Sequence, residues 1–179
     1  MMRTVVVYGL VSGHVSILGI LATIVFAGGH HAQVWVGYLI MLVALSSILV
    51  GVKQYRDRAL GGVIRFRTAF LLGLGIALVA ALAYVAVWEV YQALSDNSYI
   101  DQYIAQTLQE KRAAGVSGAA YDKLAAEMET MRVNYANPLF RLPVTFSEIF
   151  PVGLLIALVS AALLRNPRFL PARSRPGAG

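Results

Sequence analysis

Four stretches of this chain stay apolar for about as long as a lipid bilayer requires. A hydrocarbon core ~30 Å thick takes roughly 20 residues of helix at a rise of ~1.5 Å per residue. Residues 4–27, 34–52, 68–94 and 145–164 meet that length. Backbone polar groups in lipid have to be paired within their own segment, so each stretch is predicted to be an α-helix. Composition agrees: the chain is 58% hydrophobic and 13% charged, against about 25% charged residues in an ordinary soluble domain. The expected fold is therefore all-α, a polytopic membrane protein with four transmembrane helices. Its 179 residues leave room for one membrane unit and no separate large soluble domain.

The first stretch needs a check against a secretory signal. Arg3 gives it a positive start, but its apolar run is about twice the usual h-region of 7–15 residues, and no A-x-A pattern follows. It is kept as a span. The chain has no cysteine, which removes disulfides, thiolate chemistry and cysteine metal sites. Arginine outnumbers lysine, and Ala, Val and Gly abound, a composition that points to a bacterium with a GC-rich genome.

Orientation is read from the basic residues. The link between spans two and three carries Lys53, Arg56, Arg58, Arg65 and Arg67 against Asp57 alone. The end carries Arg165, Arg168, Arg173 and Arg175 with no acid. The link 28–33 has neither Lys nor Arg, and the long link after span three is slightly acidic. The expectation is an inner-membrane protein with both termini and the middle loop cytoplasmic, and residues 165–179 as a flexible basic tail.

Residues 95–138 form the one sizeable polar piece, expected as an extracytoplasmic helical hairpin. Tyr99, Ile100, Tyr103, Ile104, Thr107 and Leu108 repeat at helical spacing, and so do Tyr121, Leu124, Ala125, Met128, Met131 and Tyr135. Gly115 and Gly118 interrupt the run, Ser117 stands where it would cap the second helix, and Asn137-Pro138 ends it. The two stripes are expected to pack on each other or on the membrane surface. A partner contact through the Tyr and Met side chains is the alternative.

Ionisable residues inside spans are functional candidates by default. His14, Glu89 and Glu148 are the three here. Helix rise puts His14 roughly 15 Å up, near the midplane, Glu148 roughly 25 Å up and Glu89 roughly 31 Å along a tilted helix. The two carboxylates thus share a height and form a candidate polar site for a proton or cation. Each residue also has a structural role open to it. Thr145-Phe-Ser-Glu148 reads as a capping box. Glu89 can reach the interface beside Trp88 and Tyr91, or Arg141 can neutralise one carboxylate. His14 can bond across helices within a small-residue stretch. Pro151 and Gly153 would let span four bend.

Other patterns say less. His30-His31 lacks a third ligand. No HExxH, P-loop, GxGxxG or GxSxG pattern occurs, so no enzyme and no cofactor is expected. Gly9-x-x-x-Gly13 and Gly73-x-x-x-Ala77-x-x-x-Ala81 are faces for close helix packing, within the bundle or in self-association. Lys53, Arg58, Arg65, Arg67, Arg165 and Arg168 are expected to hold anionic lipid headgroups, at about 1 kcal/mol each. Nucleic acid is the lesser match for that charge.

The middle loop, Gly51-Val-Lys-Gln-Tyr55-Arg56-Asp57 followed by Gly61-Gly62-Val-Ile64-Arg-Phe66, is one half of a pattern. Asn137-Pro138 and Thr145-Phe146-Ser-Glu148-Ile149-Phe-Pro151-Val152-Gly153, with Tyr8-Gly9 and Ser12-Gly13, are the other half. Together they resemble bacterial membrane proteins grouped as domain of unknown function 4199. The resemblance implies a four-span inner-membrane protein and no particular activity. It directs attention to Tyr55, Arg56, Asp57, Gly61, Gly62 and Phe66 as a cytoplasmic loop site, and to Glu148 and Pro151. The functional expectation is a non-enzymatic protein acting through lipid, a membrane-protein partner or a second copy of itself. The alternative is a small ion-coupled transporter using Glu89 and Glu148.

Overall fold

The computed structural model describes residues 1–26, 34–96 and 98–172. Among them the chain forms α1 (Met2–Phe26), α2 (Val34–Leu45), α3 (Ser47–Ala59), α4 (Phe66–Leu94), α5 (Ser98–Ala113), α6 (Ala119–Ala136) and α7 (Pro138–Leu164). Four helices are long and apolar enough to cross a membrane: Met2–Ile24, Trp35–Ala59, Phe66–Leu94 and Pro138–Leu164. The second combines α2 and α3 across an interruption at Ser46, whose hydroxyl donates to the Val43 carbonyl at 2.6 Å. By length and composition this is a multi-pass membrane protein.

α4 is the central helix, packed between α1 and α7. Small residues make this possible. A Cβ on Gly9 would lie 2.5 Å from the Val79 Cβ, and one on Gly153 would lie 2.9 Å from the Ala77 Cβ. Gly13 likewise faces the Ala80 carbonyl, and Gly73 faces Ala157. Without a hydrophobic force between helices in lipid, such close backbone approach is what holds spans together. Both small-residue faces are therefore used inside the bundle. Leu10, Val43, Leu71 and Leu155 point outward, as lipid-facing side chains do.

Span four departs from expectation. It starts at Pro138, with Asn137 as its cap: the Asn137 side chain accepts from the Leu139 N–H at 3.0 Å. Thr145 and Glu148 then lie inside the helix, so the capping box does not form. Proline at the first position needs no partner for a missing N–H, which makes Asn137-Pro138 a start as well as a stop. Span two also runs past residue 52, to Ala59. α6 begins after Gly118, which makes no side-chain cap, and Ser117 does not cap it. The φ of +59° at Gly118 turns the chain into that helix instead.

α5 and α6 pack on each other, and α6 also on α7. The Arg112 guanidinium lies 4.5 Å from the Tyr121 ring centre and ties the tip of the pair. At the opposite end, the chain leaving α7 does not hang free through its first residues. Phe169 packs against the core, and Arg56 holds the Phe169 and Leu170 carbonyls. His30-His31, Arg173 and Arg175 lie outside the described residues.

Candidate functional site

The site is built by helix periodicity. Residues four apart share one face of a helix. On α4 that places Tyr84 below Trp88; on α5, Tyr99 beside Tyr103; on α7, Phe140, Val144 and Glu148 in one column. With Ile20, Thr23 and Ile24 of α1, Tyr38 and Met41 of α2, and Met131 and Tyr135 of α6, these faces line a half-open cavity of about 510 Å³. It lies between the four spans and the hairpin. That size falls within the ~300–1,000 Å³ of small-molecule sites.

Its walls are aromatic and its charge is single. The Trp88 and Tyr99 rings meet edge to face at 4.9 Å, and the Trp88 N–H donates to the Tyr135 hydroxyl at 3.0 Å. Trp88 therefore fixes one side chain from each hairpin helix. Burial pushes the Tyr99 phenol up to about 12, with the charge of Glu148 adding to it. Burial likewise pushes Tyr135 up to about 12, against the bond from Trp88. Both remain neutral at physiological pH. Glu148 is the one ionisable carboxyl among the lining residues. Protein atoms crowd around it, yet its side chain keeps a large accessible surface. That surface faces the cavity. Glu148 has no hydrogen bond or ion pair among the described residues.

The three intramembrane candidates do not converge. Glu89 is held by Arg141, whose Nε donates to Oε1 at 2.8 Å and whose Nη2 donates to Oε2 at 2.5 Å. Arg141 Nη1 also donates to the Tyr135 carbonyl at 3.1 Å, so α4, α6 and α7 are tied at one point. Glu89 is thus neutralised and lines no part of the cavity. His14 lies on the exposed side of α1, where Nδ1 is 2.8 Å from the Leu10 carbonyl of its own helix. Among the described residues it makes no bond across helices, because the neighbouring Gly13 is the residue turned towards α4. The lone carboxylate Glu148 is what remains of the expected carboxylate pair.

The loop candidates resolve into a turn and a clamp. Gly61 and Gly62 have φ of +65° and +96°, and the Leu60 and Gly62 N–H groups both donate to the Arg56 carbonyl, at 3.2 and 3.0 Å. The fully buried Arg56 side chain donates Nε to Asp57 Oδ1 at 2.7 Å, Nη1 to the Phe169 carbonyl at 2.9 Å, and Nη2 to the Leu170 carbonyl. Asp57 also accepts from Lys53 at 2.5 Å. Presenting two successive carbonyls to one guanidinium leaves Leu170 with a φ of +46°. Tyr55 packs on the core beside it. Phe66 starts α4 and stacks on Phe70 at 6.1 Å. Arg58, Arg65, Arg67, Arg165 and Arg168 are exposed at this same end.

Sequence reasoning missed the cavity because its walls come from six helices. The signal was present as aromatic pairs four apart, Tyr84 with Trp88 and Tyr99 with Tyr103. The sequence pairs Trp88 with Tyr91 as an interfacial belt and places Tyr99 and Tyr103 in a hairpin stripe, and Tyr84 is not singled out by it. Among the described residues no group of three His, Cys, Asp or Glu side chains could hold a metal ion.

Neither the curated proteins nor the solved structures contain a match to this sequence. Residues 7–166, from within α1 to just past the end of α7, match the family described as protein of unknown function (DUF4199), and the chain belongs to that family.

Proposed function

We propose that this protein works by binding, without catalysis, and that the cavity beneath the hairpin is its ligand site. The reading places it in a bacterial inner membrane with the hairpin outside and both termini in the cytoplasm, where the exposed arginines meet anionic headgroups. One observation carries it: six helices line about 510 Å³ of half-open space around Glu148, which has no partner among the described residues. No nucleophile–base pair and no second carboxylate stands beside Glu148 among the lining residues, an arrangement suited to holding a molecule rather than changing one. Transport through a Glu89–Glu148 pair loses its support, since Glu89 is bound to Arg141.

Gly37 provides the test. It lines the cavity, and a Cβ there would meet nothing within 4 Å. Gly37→Phe therefore adds a ring at the cavity wall, at a position where the first side-chain carbon meets no neighbour. Native mass spectra of protein released from membranes should show a small molecule retained by the wild type and absent from Gly37→Phe. Equal retention by the two, or no retained molecule in the wild type together with identical responses of both to a panel of added amphiphiles, overturns the reading.

A further inference from the structure

Resting on that reading, we propose that the cavity takes an organic cation: an alkylated ammonium seated at Glu148, with its apolar part along the aromatic and aliphatic wall. Charge decides the class. Glu148 is the sole carboxyl among the described lining residues, which include no Lys or Arg, and Gln102 and Gln106 are neutral. Tyr99 and Tyr135 are neutral phenols, as their burial dictates. Arg141, on the same helix as Glu148, is bound to Glu89. Glu148 has no cationic partner among the described residues, and a cationic guest supplies one.

The walls select among cations. Aromatic faces are electron-rich and attract ammonium groups, more strongly where water is excluded. Tyr84, Trp88, Tyr99, Tyr103 and Tyr135 all line the space, and Tyr99 and Tyr135 both sense the Glu148 charge. A bare metal ion is a poor match, since calcium takes about six to eight oxygen ligands and one carboxylate is present. Phosphates and carboxylates are repelled by the same charge. Ile20, Ile24 and Met41 continue the wall on the α1 and α2 side, which suits the hydrocarbon part of such a guest. Its ammonium group can belong to a free amphiphile or to the headgroup of a membrane lipid.

The test uses two probes of one shape. Benzyltrimethylammonium and neopentylbenzene differ by a charged nitrogen in place of a carbon. The chain has two tryptophans, so Trp35→Phe leaves Trp88, inside the cavity, as the reporter. In phosphatidylglycerol nanodiscs the cation should quench Trp88 saturably and the neutral probe should bind at least about tenfold more weakly. Glu148→Gln should weaken the cation by about tenfold and leave the neutral probe unchanged, while Glu148→Asp recovers part of the loss. Thermal melts in the same discs verify that each variant is folded. Equal binding of the two probes, with Glu148→Gln indifferent, overturns the cation class while the cavity reading stands. If neither probe binds, or if Gly37→Phe binds both as the wild type does, the cavity reading fails and the proposal with it. Adding phosphatidylethanolamine separates the sources: competition with the cation identifies a lipid headgroup, and no competition identifies a free amphiphile.

Discussion

Arg141 and Arg56 are both buried guanidiniums near the ends of spans, and they do different things with their donors. Arg141 neutralises a carboxylate: its side chain is 7% exposed and that of Glu89 is 25% exposed. Removing one partner of such a pair leaves a charge without company, which costs about 3–5 kcal/mol when fully buried. Glu89 is partly accessible, so Arg141→Leu should cost roughly 2–4 kcal/mol. The double variant Glu89→Leu with Arg141→Leu should be more stable than Arg141→Leu alone. A double-mutant cycle from unfolding titrations in mixed micelles measures the coupling, and strict additivity would contradict it. Arg56 shows how far single residues were legible. The adjacent pair Arg56–Asp57 was visible in the sequence and forms. The Phe169 carbonyl, 113 residues further on, was not, because a backbone acceptor carries no sequence signature. The same holds for Glu89 and Arg141, 52 residues apart. Arg141 was recognised as able to neutralise a carboxylate, but which one depended on where α7 begins.

That start belongs to the element scale. Apolar content alone marks the span from residue 145, because Arg141 dilutes the hydropathy of the turns before it. With Arg141 paired, the helix carries up to Asn137 with Pro143 accommodated inside it, and Glu148 becomes an interior residue of α7 facing the cavity. The local pattern Thr145-x-x-Glu148 was real and unused, since a capping box requires free N–H groups that a helix interior does not have. The small-residue spacing, by contrast, translated directly into structure. Gly9 and Gly13 meet α4, and Gly73 and Ala77 meet α7. What spacing alone could not distinguish was packing within one chain from packing between two copies. A leucine at Gly9 would enter space already held by Val79 and the Ile76 carbonyl, and overpacking costs about 1–3 kcal/mol. Gly9→Leu should therefore lower the melting temperature in detergent. Gly37→Ala, with open space around it, should leave it unchanged or raise it through helix propensity. Equal effects from the two substitutions would mean that α1 and α4 are not in close contact.

For the whole molecule the remaining question is which way the cavity faces, and the two ends differ in charge. Arg3, Lys53, Arg58, Arg65, Arg67, Arg165 and Arg168 gather at the end where α1 and α4 begin and α3 and α7 stop. Lysine and arginine in short segments flanking spans are retained on the cytoplasmic side. The hairpin end carries Lys111, Arg112, Lys123 and Arg132 besides the paired Arg141, fewer basic residues than the other end, and that difference sets the expected orientation. The absence of native cysteine makes the orientation measurable with one introduced thiol at a time. Ser117, at the exposed hairpin tip, and Ala59, exposed at the end of α3, mark the opposite ends. A membrane-impermeant maleimide should label Ser117→Cys in intact cells and Ala59→Cys only after the membrane is opened. The reverse pattern would turn the cavity towards the cytoplasm. Its guest would then come from inside the cell, while the enclosure around Glu148 and the charge that selects a cation would be the same.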